Sequence, residues 1–198
     1  HDQAYERALD MLRRAFHVYV CDCSRKAIGG ERYSGRCRER GLEDAPGRGL
    51  RVALDRTTER FDDAMLGPME QVPADQCGDL LVRDRDGHWT YQFAAAVDDA
   101  RYGVTLVIRG MDLVSSTGRQ LALARMLGRT HPPVFLHHRL ILKPDGEKLS
   151  KSSGDTGVRE LREAGLQAAD VIGRAAAAAG LIPEARPVPA ESVAALFT

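Results

Sequence analysis

A cluster of cysteines lies in a segment that has almost no other means of holding a shape. Three of the four cysteines, Cys21, Cys23 and Cys37, are close together, whereas residues 24–49 are rich in Gly, Arg and Glu and show little apolar periodicity. A polar segment of this kind needs a cross-link or a metal ion to become ordered. Thiolates suit zinc, and a structural zinc ion takes four tetrahedral ligands. The sequence therefore predicts a structural Zn2+ site at these cysteines.

Three thiolates leave one of the four ligand positions open. The loop of residues 24–36 contains no histidine, so the candidates are Tyr33, Glu31, a water molecule, or His17 from before the cluster. A tyrosine ligand requires a phenolate against a pKa of about 10, although zinc would help to remove the proton. The competing interpretation is ordinary thiols, but free cysteines usually lie in apolar cores. Cys77 falls outside the spacing and is expected to be a lone thiol.

The composition is that of a globular protein with a real core, since 43% of the 198 residues are hydrophobic and 28% are charged. Lys and Arg balance Asp and Glu at 28 each, which argues against binding nucleic acid through bulk charge but leaves a local basic face open. The chain has no apolar run of about 18 residues and no signal pattern at its start. We therefore expect a cytoplasmic protein that does not enter a membrane.

The first half of the chain combines one helix with short strands. Apolar residues at helical spacing predict an amphipathic helix over residues 3–16. A turn at residues 85–87 should join residues 80–82 and 89–93 as a hairpin. Strands are expected at residues 18–20, 50–54 and 78–82. Residues 18–85 therefore look like an inserted, mostly antiparallel piece.

The second half alternates strands with helices, which indicates an α/β domain. Residues 104–108 form an apolar run bounded by glycines, typical of a fully buried parallel strand. Residues 115–117 should cap a helix that runs from about Gly118 to Leu127. A strand over residues 134–142 and a helical, alanine-rich segment over residues 157–180 complete the pattern.

A loop with two lysines follows the last predicted strand. Lys148 and Lys151 flank Ser150, and a turn at residues 144–146 precedes them. Two positive charges on a loop can bind the phosphates of ATP. They can also stabilise the negative charge that develops during displacement at the α-phosphate. A solvated basic turn is the alternative interpretation, and the loop alone hardly separates the two.

Residues 148–152, Lys-Leu-Ser-Lys-Ser, resemble the KMSKS motif of class I aminoacyl-tRNA synthetases. Further blocks resemble the glutamyl and glutaminyl branch in the same order, at residues 91–94, 97–99, 103–105, 109–113 and 116–120. The resemblance implies a Rossmann-type α/β catalytic domain that uses ATP with Mg2+. It also implies that Lys151 contacts ATP and that Lys148 and Lys151 act in catalysis.

Within that branch, the cysteine cluster resembles the glutamyl-Q tRNA(Asp) synthetases, short paralogues that attach glutamate to the queuosine base of tRNA(Asp). In that family three cysteines and a tyrosine bind zinc, which implies Cys21, Cys23, Tyr33 and Cys37 as the ligands. The implied activity is ATP-dependent activation of L-glutamate and its transfer to tRNA(Asp), by a protein that we expect to be a monomer.

The resemblance also implies how glutamate is bound. It places the hydroxyl of Tyr91 on the bound amino acid and the guanidinium of Arg109 on the side-chain carboxylate, where a bidentate grip is possible. Arg109 follows the predicted strand of residues 104–108, at the end where open α/β sheets bind ligands. Asp98 and Asp99 lie nearby and are expected to be structural caps or pairs.

The resemblance divides the chain into four parts. They are a helix of the catalytic fold (1–17), a zinc-containing inserted subdomain (18–85), the second half of the catalytic domain (86–155), and a C-terminal helical segment with a tail (156–198). The family begins with a strand, a HIGH-like element and an acidic residue, none of which precedes His1. We expect that this chain by itself activates glutamate poorly.

Two alternatives to this function stay open. One is a truncated glutamyl-tRNA synthetase that charges tRNA(Glu). The other is a non-catalytic, zinc-stapled module that binds RNA. Only a short stretch follows residue 152, which favours the short paralogue because a full glutamyl synthetase continues with a large anticodon-binding region.

Overall fold

The computed structural model describes residues 2–30, 32–140, 142 and 157–197. These residues form two compact units, His1–His138 and Arg139–Thr198. None of the helices in the described parts has the length and apolar character needed to cross a membrane.

Within the described residues, the first unit contains seven strands and five helices. The strands are β1 (Val18–Cys21), β2 (Gly49–Val52), β3 (Glu59–Asp63), β4 (Gly67–Gln71), β5 (Leu80–Arg83), β6 (Leu106–Gly110) and β7 (Val134–His138). The helices are α1 (Asp2–Ala15), α2 (Arg25–Ile28), α3 (Pro73–Gln76), α4 (Tyr91–Arg101) and α5 (Val114–Met126), and a 3-10 turn at Met111–Leu113 leads into α5.

The strands form two sheets. One is three-stranded and antiparallel, in the order β1-β2-β5. The other has the order β4-β3-β7-β6; β3 pairs with β4 in antiparallel fashion, whereas β3 and β6 both run parallel to β7. The antiparallel pairs predicted for residues 18–85 are present. That range supplies strands to both sheets, because β3 and β4 join β6 and β7.

Helix α1 confirms the helix predicted for residues 3–16. Its buried residues, Tyr5, Ala8, Leu9 and Leu12, recur at the spacing that puts them on one face. This face packs into the main core, where the ring of Tyr5 lies 6.3 Å from that of Phe93. Burial of this apolar stripe explains why the helix forms here.

The hairpin predicted between residues 80–82 and 89–93 is wrong, except that Trp89, the first residue of its second strand, pairs as a strand residue would. Trp89 makes an isolated antiparallel bridge to Arg83, and helix α4 then begins at Tyr91. The apolar residues at 89, 91 and 93 alternate as in a strand. However, Phe93 continues into Ala96 and Val97 at helical spacing, and these three are the buried residues of α4.

Strand β6 runs parallel to its neighbour as predicted, but it is not fully buried. Leu106 is 47% exposed and Ile108 is 61% exposed. Among the described residues β6 is an edge strand, paired with β7 alone. The apolar run therefore identified the strand and its direction but overstated its burial.

The hydroxyl residues at 115–117 do not cap a helix. Helix α5 begins earlier, at Val114, so Ser116 and Thr117 lie inside its first turn and are buried. Their hydroxyls instead accept hydrogen bonds from Gln92 (2.9 Å) and Arg109 (2.8 Å). The 3-10 turn before α5 supplies the helix start that the sequence pattern did not show.

In the second unit, the helical segment predicted over residues 157–180 forms two helices rather than one, α6 (Val158–Glu163) and α7 (Ala168–Ala178), and 3-10 turns over Ala190–Phe197 follow them. Gly165, with a φ of 88°, breaks the predicted helix, and Gly180 follows its end. The strand predicted to reach residue 142 ends at His138. The turn at 144–146 and the lysine loop at 148–152 lie outside the described residues.

Candidate functional site

Three adjacent parallel strands bring polar side chains together at their carboxyl ends. Asp63 is the last residue of β3, while Arg109 and His137 are the penultimate residues of β6 and β7. The Cα atoms of Arg109 and His137 are direct partners in the parallel register. Ligands of open α/β sheets bind at this edge, so the three residues lie where a substrate site is expected.

Arg109 is held by three hydrogen bonds to neighbouring side chains. Its Nε donates to Nε2 of His137 at 3.0 Å, Nη1 to Oε1 of Gln120 at 2.6 Å, and Nη2 to Oγ1 of Thr117 at 2.8 Å. Burial lowers the pKa of Arg109, an effect that Tyr91 opposes, and an arginine remains charged in any case. The site therefore contains a guanidinium whose plane is fixed.

Tyr91, the other residue expected to bind glutamate, lies at the same site. It is the first residue of α4 and is 57% exposed, and its side chain interacts electrostatically with Arg109. Asp98 accepts a hydrogen bond of 2.8 Å from the hydroxyl of Tyr5, a structural contact. Burial raises the pKa of Asp99. The structure thus brings Tyr91 and Arg109 together and directs Asp98 into the core.

Asp63 and His137 were not predicted from the sequence as residues of this site. Both side chains are fully buried, and Nδ1 of His137 lies 2.5 Å from Oδ2 of Asp63. Burial by itself would raise the pKa of Asp63, but hydrogen bonds from His137 and from the backbone amides of Leu66 and Met65 hold that pKa below its usual value. The only sign of this pair in the sequence is that His137 lies within a mostly apolar predicted strand. Asp63 is distant in the chain, so the sequence does not indicate that it is the partner of His137.

The four residues predicted to bind zinc also come together. The sulfur atoms of Cys21, Cys23 and Cys37 lie within 4.8 Å of one another, and all three residues are buried. The hydroxyl of Tyr33 lies 3.6 Å from Sγ of Cys21 and 4.0 Å from Sγ of Cys23. Three thiols and a phenol around one point form a donor set that fits a tetrahedral metal ion.

His17 and Cys77 make other contacts and do not belong to the group of three cysteines. His17 packs its ring 5.4 Å from that of Tyr19, and Glu31 lies outside the described residues. Cys77 is separate from the cluster and donates to the carbonyl of Pro73 at 3.2 Å. Among the described alternatives, Tyr33 is the one whose side chain lies against the thiols.

Each cysteine of the cluster accepts a hydrogen bond from a different arginine. The pairs are Arg51 Nε with Cys21 at 3.4 Å, Arg36 Nε with Cys23 at 3.0 Å, and Arg40 Nη1 with Cys37 at 3.4 Å. Burial would raise the pKa of Cys21, but hydrogen bonds from Tyr33, the Cys23 amide and Arg51 lower it to about 7. Arg51 therefore favours the thiolate form of Cys21, the form that binds metals, whereas burial raises the pKa of Cys23 despite the hydrogen bond from Arg36.

Comparisons with known proteins agree with these features. A family model described as the catalytic domain of class I tRNA synthetases (E and Q) matches residues 2–172. A glutamyl-Q tRNA(Asp) synthetase from Nitratidesulfovibrio vulgaris is 39% identical over 99% of this chain and 66% of its own length. One from Bordetella bronchiseptica is 43% identical over 76% of this chain and 51% of its own length. The chain thus spans between half and two-thirds of these relatives.

Solved structures show the same fold. The crystal structure of the glutamate-tRNA synthetase from Elizabethkingia anophelis matches with a TM-score of 0.61 at 24% sequence identity, and the match covers 77% of this chain and 36% of that one. With the family model covering most of its length, the chain belongs to the class I tRNA synthetases of the glutamyl and glutaminyl branch.

Proposed function

We propose that this chain is the substrate-binding and zinc-binding part of a glutamyl-Q tRNA(Asp) synthetase, which activates L-glutamate with ATP and Mg2+ and transfers it to the queuosine base of tRNA(Asp). The observation that carries the proposal is the position of Arg109, a fixed guanidinium beside Tyr91 at the carboxyl ends of parallel strands. The curated relatives with that name support the choice of substrates.

The arrangement suits recognition of an amino acid with a side-chain carboxylate. Arg109 offers N–H donors in a planar fork, the geometry that matches a carboxylate with two hydrogen bonds. The Tyr91 hydroxyl, exposed beside it, would hydrogen-bond the same substrate. Binding the side chain in this way leaves the α-carboxylate of glutamate free to react.

The first reaction is an in-line displacement at phosphorus. An oxygen of the α-carboxylate attacks the α-phosphate of ATP, an acyl–phosphate bond forms, and the bond to pyrophosphate breaks. Lys148 and Lys151 would stabilise the negative charge that develops on the phosphates. In the second reaction a nucleophile of the tRNA takes the glutamyl group and AMP leaves.

The cysteine cluster has a structural role in this proposal. Cys21, Cys23, Tyr33 and Cys37 would hold one Zn2+ ion, which cross-links the polar loop of residues 24–48 to the end of β1. Burial raises the pKa of Tyr33, so the phenolate would form only with the ion bound. The inserted subdomain would then comprise residues 18–85, between the helix of residues 1–17 and residues 86–155 of the catalytic domain, with residues 156–198 as the helical C-terminal part.

ATP–pyrophosphate exchange tests the proposal. The full-length product of the gene that encodes this chain should exchange with L-glutamate and should transfer glutamate to queuosine-containing tRNA(Asp). Charging of tRNA(Glu) alone would identify a glutamyl-tRNA synthetase instead. Absence of exchange, with or without tRNA, would leave only the non-catalytic, RNA-binding interpretation.

An arginine variant tests the site within that assay. Arg109→Lys keeps the charge but loses the fork, so we expect the KM for glutamate to rise by roughly tenfold to hundredfold, the value of a charged hydrogen bond. Arg101→Lys is the matched control, because Arg101 is exposed at the end of α4 and lies over the ring of Tyr102. An unchanged KM for Arg109→Lys would contradict the role of Arg109.

A further inference from the structure

Asp63 and His137 are fully buried, and the proposed contacts with glutamate and ATP use neither of them. Burying an ionised carboxylate is unfavourable unless interactions with its partners offset the loss of hydration. A buried pair of this kind therefore suggests a functional role. We propose that Asp63 and His137 form a positioning pair that locks Arg109 in the orientation that recognises the side-chain carboxylate of glutamate. The inference rests on the proposed function and extends it by two residues.

The first step of the argument is the hydrogen-bond chain. The carboxylate of Asp63 meets Nδ1 of His137 at 2.5 Å, and Nε2 of the same ring lies 3.0 Å from Nε of Arg109. A carboxylate only accepts hydrogen bonds and a guanidinium only donates them. The imidazole between them must therefore carry its proton on Nδ1 and accept with Nε2.

This requirement gives the buried carboxylate its role. A neutral histidine can carry its proton on either nitrogen, and the partner of one nitrogen decides which. With the proton on Nε2, two N–H groups would face each other across 3.0 Å and push Arg109 away. Asp63 excludes that state, because its carboxylate accepts a hydrogen bond from the N–H group at Nδ1.

The backbone holds the three residues in this order. The Cα atoms of Arg109 and His137 are partners in the parallel register of β6 and β7, and β3 joins β7 where Asp63 pairs with Phe135. Oδ1 of Asp63 also accepts from the amides of Met65 at 3.0 Å and Leu66 at 2.9 Å. These bonds leave the carboxylate little freedom to turn.

The consequence for the substrate is selectivity between glutamate and glutamine. Arg109 donates from Nε to His137, from Nη1 to Gln120 and from Nη2 to Thr117. These bonds fix the direction of the two N–H groups that remain, one on Nη1 and one on Nη2. The side-chain carboxylate of glutamate can accept hydrogen bonds from both of the remaining N–H groups. The side-chain amide of glutamine can accept from one of them and places its own N–H group against the other. A guanidinium that is free to turn would discriminate less.

A purely structural role makes a different prediction. If Asp63 and His137 only fill the core, their variants lose stability and active protein, and the remaining folded enzyme has normal substrate constants. If they position Arg109, the folded variants have an altered KM for glutamate. The KM for ATP should stay close to the wild-type value, because Arg109 does not contact the nucleotide in the proposed mechanism.

The kinetic test uses the full-length gene product in ATP–pyrophosphate exchange, with folding checked by circular dichroism. For His137→Leu we expect a KM for glutamate at least about tenfold higher, since small displacements of a binding group have large effects. For Asp63→Asn we expect a smaller rise, because an amide no longer selects one tautomer. In both variants the preference for glutamate over glutamine should fall, and kcat should change less than KM.

Two further variants serve as controls. His137→Gln offers an amide that can accept from Arg109 and donate to Asp63, so it should restore most of the affinity for glutamate. His131→Leu removes an exposed histidine near the start of β7 and should leave all constants unchanged. If His137→Leu fails to fold, Asp63→Asn decides the question.

A spectroscopic measurement addresses the proton directly. In 15N-histidine-labelled protein, the ring nitrogens of His137, assigned by their loss in His137→Gln, should show a protonated Nδ1 and an unprotonated Nε2. A proton on Nε2, or a KM for glutamate within about twofold of wild type in folded Asp63→Asn or His137→Leu, would overturn the positioning role. Wild-type protein without glutamate-dependent exchange would instead refute the proposed function itself.

Discussion

The backbone of Tyr33 lies directly on the backbone of Gly78. The two residues form a parallel β-bridge, and the amide of Tyr33 donates to the carbonyl of Cys77 at 2.9 Å. A Cβ atom on Gly78 would lie 1.9 Å from the carbonyl oxygen of Tyr33, and the φ of Gly78 is 66°. The proposed zinc ligand thus keeps its position because residue 78 has no side chain.

Gly78→Ala should therefore destabilise the first unit strongly. The positive φ alone costs about 1–2 kcal/mol for a residue with a Cβ, and the collision with Tyr33 adds to it, so we expect a total of about 3 kcal/mol or more. Gly87→Ala is the matched control, with a φ of 87° and no atom within 4 Å of the added Cβ. Urea unfolding measures both. Equal losses in the two variants would show that the contact with Tyr33 does not matter.

Cys37→Ser should abolish stoichiometric zinc binding. We expect about one equivalent of zinc in the wild-type chain and a large loss in this variant, since a hydroxyl is a poor replacement for a thiolate at a four-ligand site. Cys77→Ser is the matched control, because Cys77 is also buried but donates to Pro73 and lies outside the cluster. Elemental analysis of the purified proteins measures the metal. Full zinc content in Cys37→Ser would disprove the site.

Arg51 should influence the affinity for zinc without being a ligand. Its guanidinium is buried, donates to Cys21 at 3.4 Å and lies 3.8 Å from the ring centroid of Tyr33. Removing groups that surround metal ligands weakens binding by about 10-fold to 100-fold, which we expect for Arg51→Met in competition with a chromogenic chelator. Arg60→Met should bind zinc normally, because Arg60 is an exposed residue paired with Glu70. Equal affinities would show that Arg51 has only a packing role.

Asp79 should make the fold sensitive to acid. Its buried carboxylate accepts from Nε of Arg38 at 2.6 Å, from the amide of Leu54 at 3.1 Å and from the hydroxyl of Tyr19. Burial would raise its pKa, but these hydrogen bonds hold the pKa below the ordinary value. A folded-state pKa below the unfolded one contributes stability above about pH 4, and that contribution is lost as the pH falls through the folded-state pKa.

Asp79→Asn should consequently lower the free energy of unfolding by about 2 kcal/mol at neutral pH, the value of hydrogen bonds to a charged group. It should also reduce the loss of stability between about pH 7 and pH 3, measured by urea unfolding in the presence of a chelator. Asp75→Asn is the control, since Asp75 pairs with Arg56 at the surface and should contribute less than about 1 kcal/mol. A pH dependence identical to wild type in Asp79→Asn would contradict the assignment.

Local patterns predicted several features well. The apolar face of α1, the direction of β6 and the grouping of the three cysteines were all predicted from short stretches of chain. In each case the determining interactions are between residues that are close in sequence, or depend on a period of side chains along one element. The same patterns wrongly predicted a strand at residues 89–93, because Trp89, Tyr91 and Phe93 alternate like a strand before the helical face of α4 begins.

Part of the candidate site was also predicted from local sequence patterns, and part of it depends on the tertiary structure. From the sequence by itself, Tyr91 and Arg109 are predicted to bind glutamate because their motifs resemble those of the family, and the fourth ligand position beside the cysteines is narrowed to a few candidates. Only the tertiary structure placed Asp63 beside His137 and His137 beside Arg109, because that chain of hydrogen bonds depends on the order and register of β3, β7 and β6. Strand order arises from the burial of side chains and pairing of backbones that are far apart in the chain, and no local pattern encodes it.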